Sequence, residues 1–297
     1  MNTPTQPNEN RNLLILHLTV FIWGFTGILG ALISINAVQM VWYRVLIASI
    51  TLFAYFLLSK TSIKITRIQF FKFFFTGSIV AIHWILFFHA IKVANVSVSL
   101  ICLSSVTLFI AILEPLIKKQ RISKGDIFIG LLIILGIYLI FKFETNYTAG
   151  IIFGLFSALA ASIFSTINST LVQKNNPSII GFYELMGAFF WITLYRLFDQ
   201  SLLQETFNLS SIDWVYLLIL GTICTALAYV AGVGVMRTLS AFRVALITNL
   251  EPVYGIVLAF LLFGHKEQMT GGFYLGSLLI LVAVFIYPIY KKRRNKS

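Results

Sequence analysis

Residues 245–264, ALITNLEPVYGIVLAFLLFG, place a carboxylate, Glu251, directly before Pro252 in an almost unbroken apolar run. In a bilayer, an acid at the centre of a helix costs about 2.5–3.5 kcal/mol, so it is expected to face the bundle interior or a wet cavity. Pro252 brings no backbone donor, which leaves the carbonyl of Thr248 without its helical partner. A freed carbonyl is tolerated at membrane depth where it lines a cavity. The pair therefore points to a solvated path, with Asn249 beside it as a further polar candidate. The alternative is a buried, protonated acid and a packing kink.

Four other groups could join that chemistry. Arg44 falls inside an apolar run, about 9 Å from its nearer end by helical rise. Its planar fork suits a carboxylate; the alternative is an internal salt bridge or snorkelling to headgroups. His83, in AIHWILFF, stands near the middle of another run and reads either as a helix–helix hydrogen bond or as a proton site. Trp23 and Tyr229, with Trp84 and Tyr254, are candidates for aromatic walls, against packing or lipid contact. Glu184 lies about 9 Å inside its run and reads as a partner for a neighbouring helix or as a gate. Glu114, only about 4–5 Å deep, reads as an interfacial charge facing headgroups or Lys118. Gly24, Gly27 and Gly30 read as close helix packing. Metal-ligand spacings, nucleophile triads, phosphate loops and dinucleotide fingerprints are absent. No catalytic residue, metal or cofactor is expected.

The elements that must hold these residues are helices in a membrane. The 297 residues are 59% hydrophobic and 11% charged, with a mean hydropathy of +0.91. Ten stretches approach the ~20 apolar residues a spanning helix needs: 13–33, 38–58, 70–91, 94–117, 125–143, 149–171, 178–198, 212–236, 241–263 and 270–290. The runs are too long and too uniform for strands. The first is too long for a cleaved leader, and no small-residue cleavage site follows it. Cys102 and Cys224 lie within spans as small apolar filler.

The net charge of +12 has a placement that argues against nucleic acid. With the N-terminus inside, only Lys92, Lys142, Arg196 and Lys266 fall on the external side. The other basic residues, Arg44 apart, gather in the cytoplasmic segments, including the tail KKRRNKS. Such a bias sets both termini in the cytoplasm. The longest loop, 199–211, is then external. The organisation expected is a tail at 1–12, five helices over 13–145, five more over 146–290, and a basic tail at 291–297.

The two halves echo each other. AIKVANVSVSL (90–100) is similar to VMRTLSAFRVAL (235–246) with one residue inserted, and LSSV (103–106) then lies over LEPV (250–253). GLLIILGIYLI (130–140) lies over GSLLILVAVFI (276–286). Five helices per half is odd, so the second half enters from the opposite side, as in the inverted repeats of secondary transporters.

FIWGFTGILG, WYRVLIAS, HAIKVANVSVSL and LEPVYGIVLAFLLFGHKEQMTGGFYLGSLLI together resemble the EamA-type carriers of the drug/metabolite transporter superfamily, over residues 13–290. The resemblance implies ten helices in two inverted five-helix repeats. It also implies a central cavity lined by the first four helices of each half, with the fifth and tenth peripheral. Members of that family move amino acids and other small metabolites, often outward. This sequence departs from the pattern at two positions. Ser105 stands where relatives and the second half have proline, which predicts a straighter fourth helix than ninth. Gln120 stands where the first half often has the acid that Glu267 keeps in the second.

The chain is thus expected to be an all-α, polytopic carrier of the cell (inner) membrane. It would move a small polar solute, an amino acid or a relative of one, outward by alternating access, with Arg44 holding its carboxylate and Glu251 facing its ammonium group and coupling transport to protons. Lipid and a homodimer through the last two helices are the expected partners. The competing reading is a membrane-embedded enzyme such as a lipid-linked transferase, which would gather acids or histidines at one interface.

Overall fold

The computed structural model describes residues 9–117, 124–199 and 209–294, and these are helical, with no strand among them. In chain order the helices are α1 (Glu9–Leu32), α2 (Ala37–Ser59), α3 (Arg67–Val93), α4 (Val96–Leu103), α5 (Val106–Ile117), α6 (Lys124–Phe143), α7 (Thr148–Leu171), α8 (Pro177–Phe198), α9 (Ser211–Gly221), α10 (Ala228–Val235), α11 (Ala241–Thr248), α12 (Leu250–Phe263) and α13 (Gly271–Arg294). Among the described residues, eight stretches are long and apolar enough to cross a bilayer. Three of these, Val96–Ile117, Ser211–Val235 and Ala241–Glu267, are interrupted. Phe128–Phe143 and Gly271–Ala283 are shorter apolar stretches.

The helix starts follow from polar residues at the ends of the apolar runs. Asn36, Asn95, Ser210 and Ser240 each accept a backbone N–H of the first turn that follows. Thr66 and Gln69 form a reciprocal capping box on α3. Each cap satisfies a donor that has no intrahelical partner. The outer faces stay apolar: Leu58 is 86% exposed and Leu261 72%. In water such surface would be a liability; against lipid tails it is the matching solvent.

Without a hydrophobic drive between helices in lipid, small residues set the contacts. A Cβ on Gly77 of α3 would fall on the Glu184 carbonyl of α8, and one on Gly187 would fall on the Phe74 carbonyl of α3. Gly24, Gly27 and Gly30 likewise admit Tyr254, Val96 and the Phe88 ring. Between α9 and α10 the chain makes a π-helical segment, Thr222–Leu227, with the Thr225 hydroxyl donating to the Leu220 carbonyl at 2.6 Å. α6 and α13 pack on each other, the backbone of Gly136 against that of Gly276.

Helix four is not straighter than helix nine: both break. The fourth stretch turns at Ser104–Ser105, where the two N–H groups donate to Ile101 and Cys102 at 3.1 Å each, three residues back. The Ser105 hydroxyl also donates to the Cys102 carbonyl. Hydroxyl back-bonding bends a helix without proline. The ninth stretch breaks at Asn249, between α11 and α12, which places Pro252 in the first turn of α12. Proline is tolerated there because those N–H groups lack intrahelical acceptors in any case.

Glu114 does not face headgroups, and Lys118, its other expected partner, lies outside the described residues. Glu114 is buried, and its Oε2 accepts the Phe242 N–H of α11 at 3.3 Å. The N-terminus of a neighbouring helix offers donors and partial positive charge that depth along its own helix does not reveal. Glu267 does the same for α4, accepting Val96 N at 3.1 Å and Ser97 N at 2.9 Å. Gln120, the loop 200–208 and the final residues 295–297 lie outside the described residues.

One end of the bundle is stitched together. Asp213 accepts the N–H (2.8 Å) and hydroxyl (2.6 Å) of Ser34, Lys92 donates to the Ile33 carbonyl, and Glu267 caps α4. At the opposite end, Met236 and Ala241, which flank the α10–α11 connection, face an internal cavity.

Candidate functional site

The cavity measures about 120 Å³, room for several waters at roughly 10–15 Å³ each. Trp23, Arg44, His83, Tyr229, Asn249, Glu251 and Pro252 all line it, together with Trp84, Phe87 and Phe164. Tyr254 does not line it and packs edge-on to Phe21, ring centroids 5.6 Å apart. Glu184 and Ser105 do not line it either.

Arg44, on α2, is 1% exposed. Its Nε donates to the Thr225 hydroxyl of the π segment at 2.6 Å, and its guanidinium lies 4.0 Å over the Trp84 ring of α3. Cation–π contact of a desolvated guanidinium contributes about 2 kcal/mol. Its buried Nη1 has no hydrogen-bond partner, and no acidic oxygen comes within 4.0 Å of it among the described residues. Arg44 is therefore neither snorkelling nor held in a salt bridge.

Glu251 stands in the first turn of α12, at 5% exposure, and makes no side-chain hydrogen bond among the described residues. It lines the same cavity as Arg44. The site thus holds a guanidinium with a spare donor and a carboxylate with spare acceptors, not joined to each other.

The polar neighbours fix this arrangement. Asn249 Nδ2 donates to the Thr107 hydroxyl at 2.6 Å, tying the break in the ninth stretch to that in the fourth. Leu103, Ser104 and Val106 bring the first break to the cavity, and Thr248, Asn249, Glu251 and Pro252 bring the second. His83 is hydrogen-bonded through Nδ1 to the carbonyl (3.0 Å) and hydroxyl (2.8 Å) of Ser157 on α7. A carbonyl only accepts, so Nδ1 carries the proton and Nε2 of the neutral ring is the acceptor. Glu184, on α8, accepts the Tyr229 hydroxyl at 2.7 Å and the Asn168 amide at 3.1 Å, so it touches the cavity wall through Tyr229.

Thr225, Thr107, Ser157 and Asn168 were not singled out from sequence. Hydroxyls in apolar helices are too common to read. Asn168, an amide inside the run SALAASIFSTINSTL, did carry a signal, since a buried amide demands partners.

The family model for the EamA-like transporter family matches this chain twice, over residues 11–142 and 148–287. The chain belongs to the EamA-like transporter family. Like its family, it is a multi-pass membrane protein. Two proteins of Archaeoglobus fulgidus and one of Haemophilus influenzae, each called an uncharacterized transporter, are similar to it. One of the archaeal proteins is 25% identical over 94% of this chain and 99% of its own length. For the other, the 25% identical match spans about half of each, 52% of this chain and 53% of that protein. The Haemophilus protein is 24% identical over 84% of this chain and 81% of its own. A protein crystal structure superposes with a TM-score of 0.67 at 15% identity, over 95% of this chain and 99% of that one, a likeness of fold. The two family matches meet at the cavity, because this EamA-family chain lines it from both of them.

Proposed function

We propose that this chain is a secondary carrier that moves an amino acid, or a metabolite like one, out of the cell across the inner membrane by alternating access coupled to protons. The observation that carries the substrate class is the unjoined pair of Arg44 and Glu251 in one small aromatic-walled cavity. A zwitterion offers each group its complement: a carboxylate for the guanidinium fork and an ammonium for the acid. Both desolvation costs are then offset by one ligand. A neutral sugar matches neither group.

The architecture we infer is ten spans in two inverted five-helix repeats, with both termini cytoplasmic. It is supported by the double family match and by aligned breaks in the fourth and ninth stretches that line the same cavity. In that orientation the α10–α11 connection lies on the cytoplasmic side and the end that holds Ser34, Asp213 and Glu267 lies outside.

Flux is compared in proteoliposomes for one amino acid, its amide and its decarboxylated amine. Arg44→Lys keeps the charge but loses the fork, so it is expected to weaken the amino acid more than the amine. The zwitterion reading fails if all three change equally, or if the wild type carries none. For topology, cysteines placed in 199–211 are expected to label with an impermeant reagent from outside, and cysteines in 60–67 are not; the reverse pattern overturns the orientation.

A further inference from the structure

One acid takes no part in the pairing just described. Glu184 is fully buried, yet no cation compensates it among the described residues. Its Oε2 accepts two hydrogen bonds, from the Tyr229 hydroxyl and the Asn168 amide. Its Oε1 is buried and accepts none, and neither does the Asn168 Oδ1 beside it. Asn168 Nδ2 also reaches the Tyr229 oxygen, at 3.1 Å, closing the three side chains into one cluster. Tyr229 is shared: its hydroxyl holds Glu184, and its side chain lines the cavity and meets the Trp84 ring edge-on at 5.6 Å.

The helices around Glu184 offer no other charge to pair with it. From α10 comes Tyr229, and from α7 the neutral Asn168. On α2, Arg44 holds Thr225 and Trp84, and no nitrogen of it comes within 4.0 Å of a Glu184 oxygen. On α3, His83 is committed to Ser157, and the α3 backbone touches Glu184 at Gly77. Tyr183, its neighbour on α8, donates to the Ile63 carbonyl. A carboxylate with an orphan oxygen and no counter-charge is expensive as an anion. A proton on it removes that cost, and the 2.7 Å hydrogen bond from the Tyr229 hydroxyl to Oε2 offers the route for one.

We propose that Glu184 is a proton-binding site of the transport cycle, connected to the solute cavity by Tyr229, with Asn168 as its positioning residue. In uptake, a proton from cavity water bonds to the Tyr229 oxygen as the phenolic hydrogen passes to Glu184 Oε2. Tyrosine ends neutral as it began, and the carboxylate ends as the acid. Release is the reverse. Glu251 is then left to meet the solute, and the two acids divide the work.

The proposal rests on the carrier reading, so its test includes an arm that needs no solute. The full-length protein in liposomes is followed by pH-difference infrared spectroscopy, from about pH 5 to about pH 9, the range buried carboxyls reach. A carboxylic-acid carbonyl band is expected to grow on acidification, to lose a component in Glu184→Gln, and to shift in Tyr229→Phe, which keeps the acid but removes its donor. If Glu184→Gln leaves the difference spectrum intact, Glu184 does not exchange protons and the proposal is overturned, whether or not any solute moves. An unshifted band in Tyr229→Phe overturns the link to the cavity. The second arm measures labelled amino acids in counterflow and under an imposed proton gradient. Glu184→Gln is expected to lower gradient-driven accumulation by about tenfold or more, a coupling of ~1.4 kcal/mol or more, while counterflow stays within about twofold. Loss of both, or of neither, removes Glu184 as the coupling site. If no amino acid moves in the wild type, the substrate reading has failed, and the infrared arm alone decides the fate of the proton site.

Discussion

The two broken stretches, α4/α5 and α11/α12, lie one in each family match and face one cavity, but they break by different chemistry. The first turns on two serines whose N–H groups and one hydroxyl reach back three residues. The second turns on Asn249 and starts again with Glu251 and Pro252 in its first turn. Position for position, Ser104 lies over Glu251 and Ser105 over Pro252. The shape of a broken helix is thus available without proline, and what the second break adds is a charge. Of the two bends, only the second carries an acid.

The sharpest way to break that comparison is to remove the charge. Glu251→Gln is expected to lower solute flux by about 10- to 100-fold, the worth of a hydrogen bond to a charged group at ~1.5–3 kcal/mol. Ser104→Ala at the matching position is expected to stay within about threefold, since a neutral hydroxyl contributes about 0.5–1 kcal/mol. Equal losses would mean that the breaks are interchangeable. Next in size is the tie between them. Asn249→Ala strands the Thr107 hydroxyl and is expected to cost about 1–3 kcal/mol of stability, read as a lower melting temperature in detergent. Combining it with Thr107→Ala should add little; full additivity would show that the two side chains do not act together. The smallest change exchanges the means of bending. Ser105→Pro gives up the N–H bond to Cys102, at about 1 kcal/mol, and is expected to keep flux within about twofold. A collapse of flux or folding would show that the serine turn has a role proline cannot fill.

Legibility in the sequence tracked cost. Glu251, Arg44 and Pro252 stood out because each is expensive in an apolar run; Trp23 and Tyr229, named only as candidate aromatic walls, line the same cavity as His83 and Asn249. The contact of Glu114 with the N-terminus of α11 was not legible, because depth was counted along its own helix and Phe242 is distant in sequence. The break at Ser105 was missed because proline was taken as the mark of a bend. Thr225, Ser157 and Thr107 act through single hydroxyls whose partners exist only once helices are side by side. Helix existence was plain from hydropathy; which faces meet depends on glycines such as Gly77 and Gly187, whose partners no local pattern names.

The π segment at Thr222–Leu227 has a consequence for register. A π turn accommodates one residue more than an α-helix of the same length, so it is the lasting form of a one-residue insertion. Deleting a residue there would let α9 run straight into α10 as ordinary helix, but everything beyond would rotate by about 100°. Tyr229 would swing away from Glu184, and Gly232 would leave the Trp23 ring it now accommodates. A copy of this chain one residue shorter between Leu220 and Tyr229 would therefore present a different wall to the cavity with every other residue unchanged.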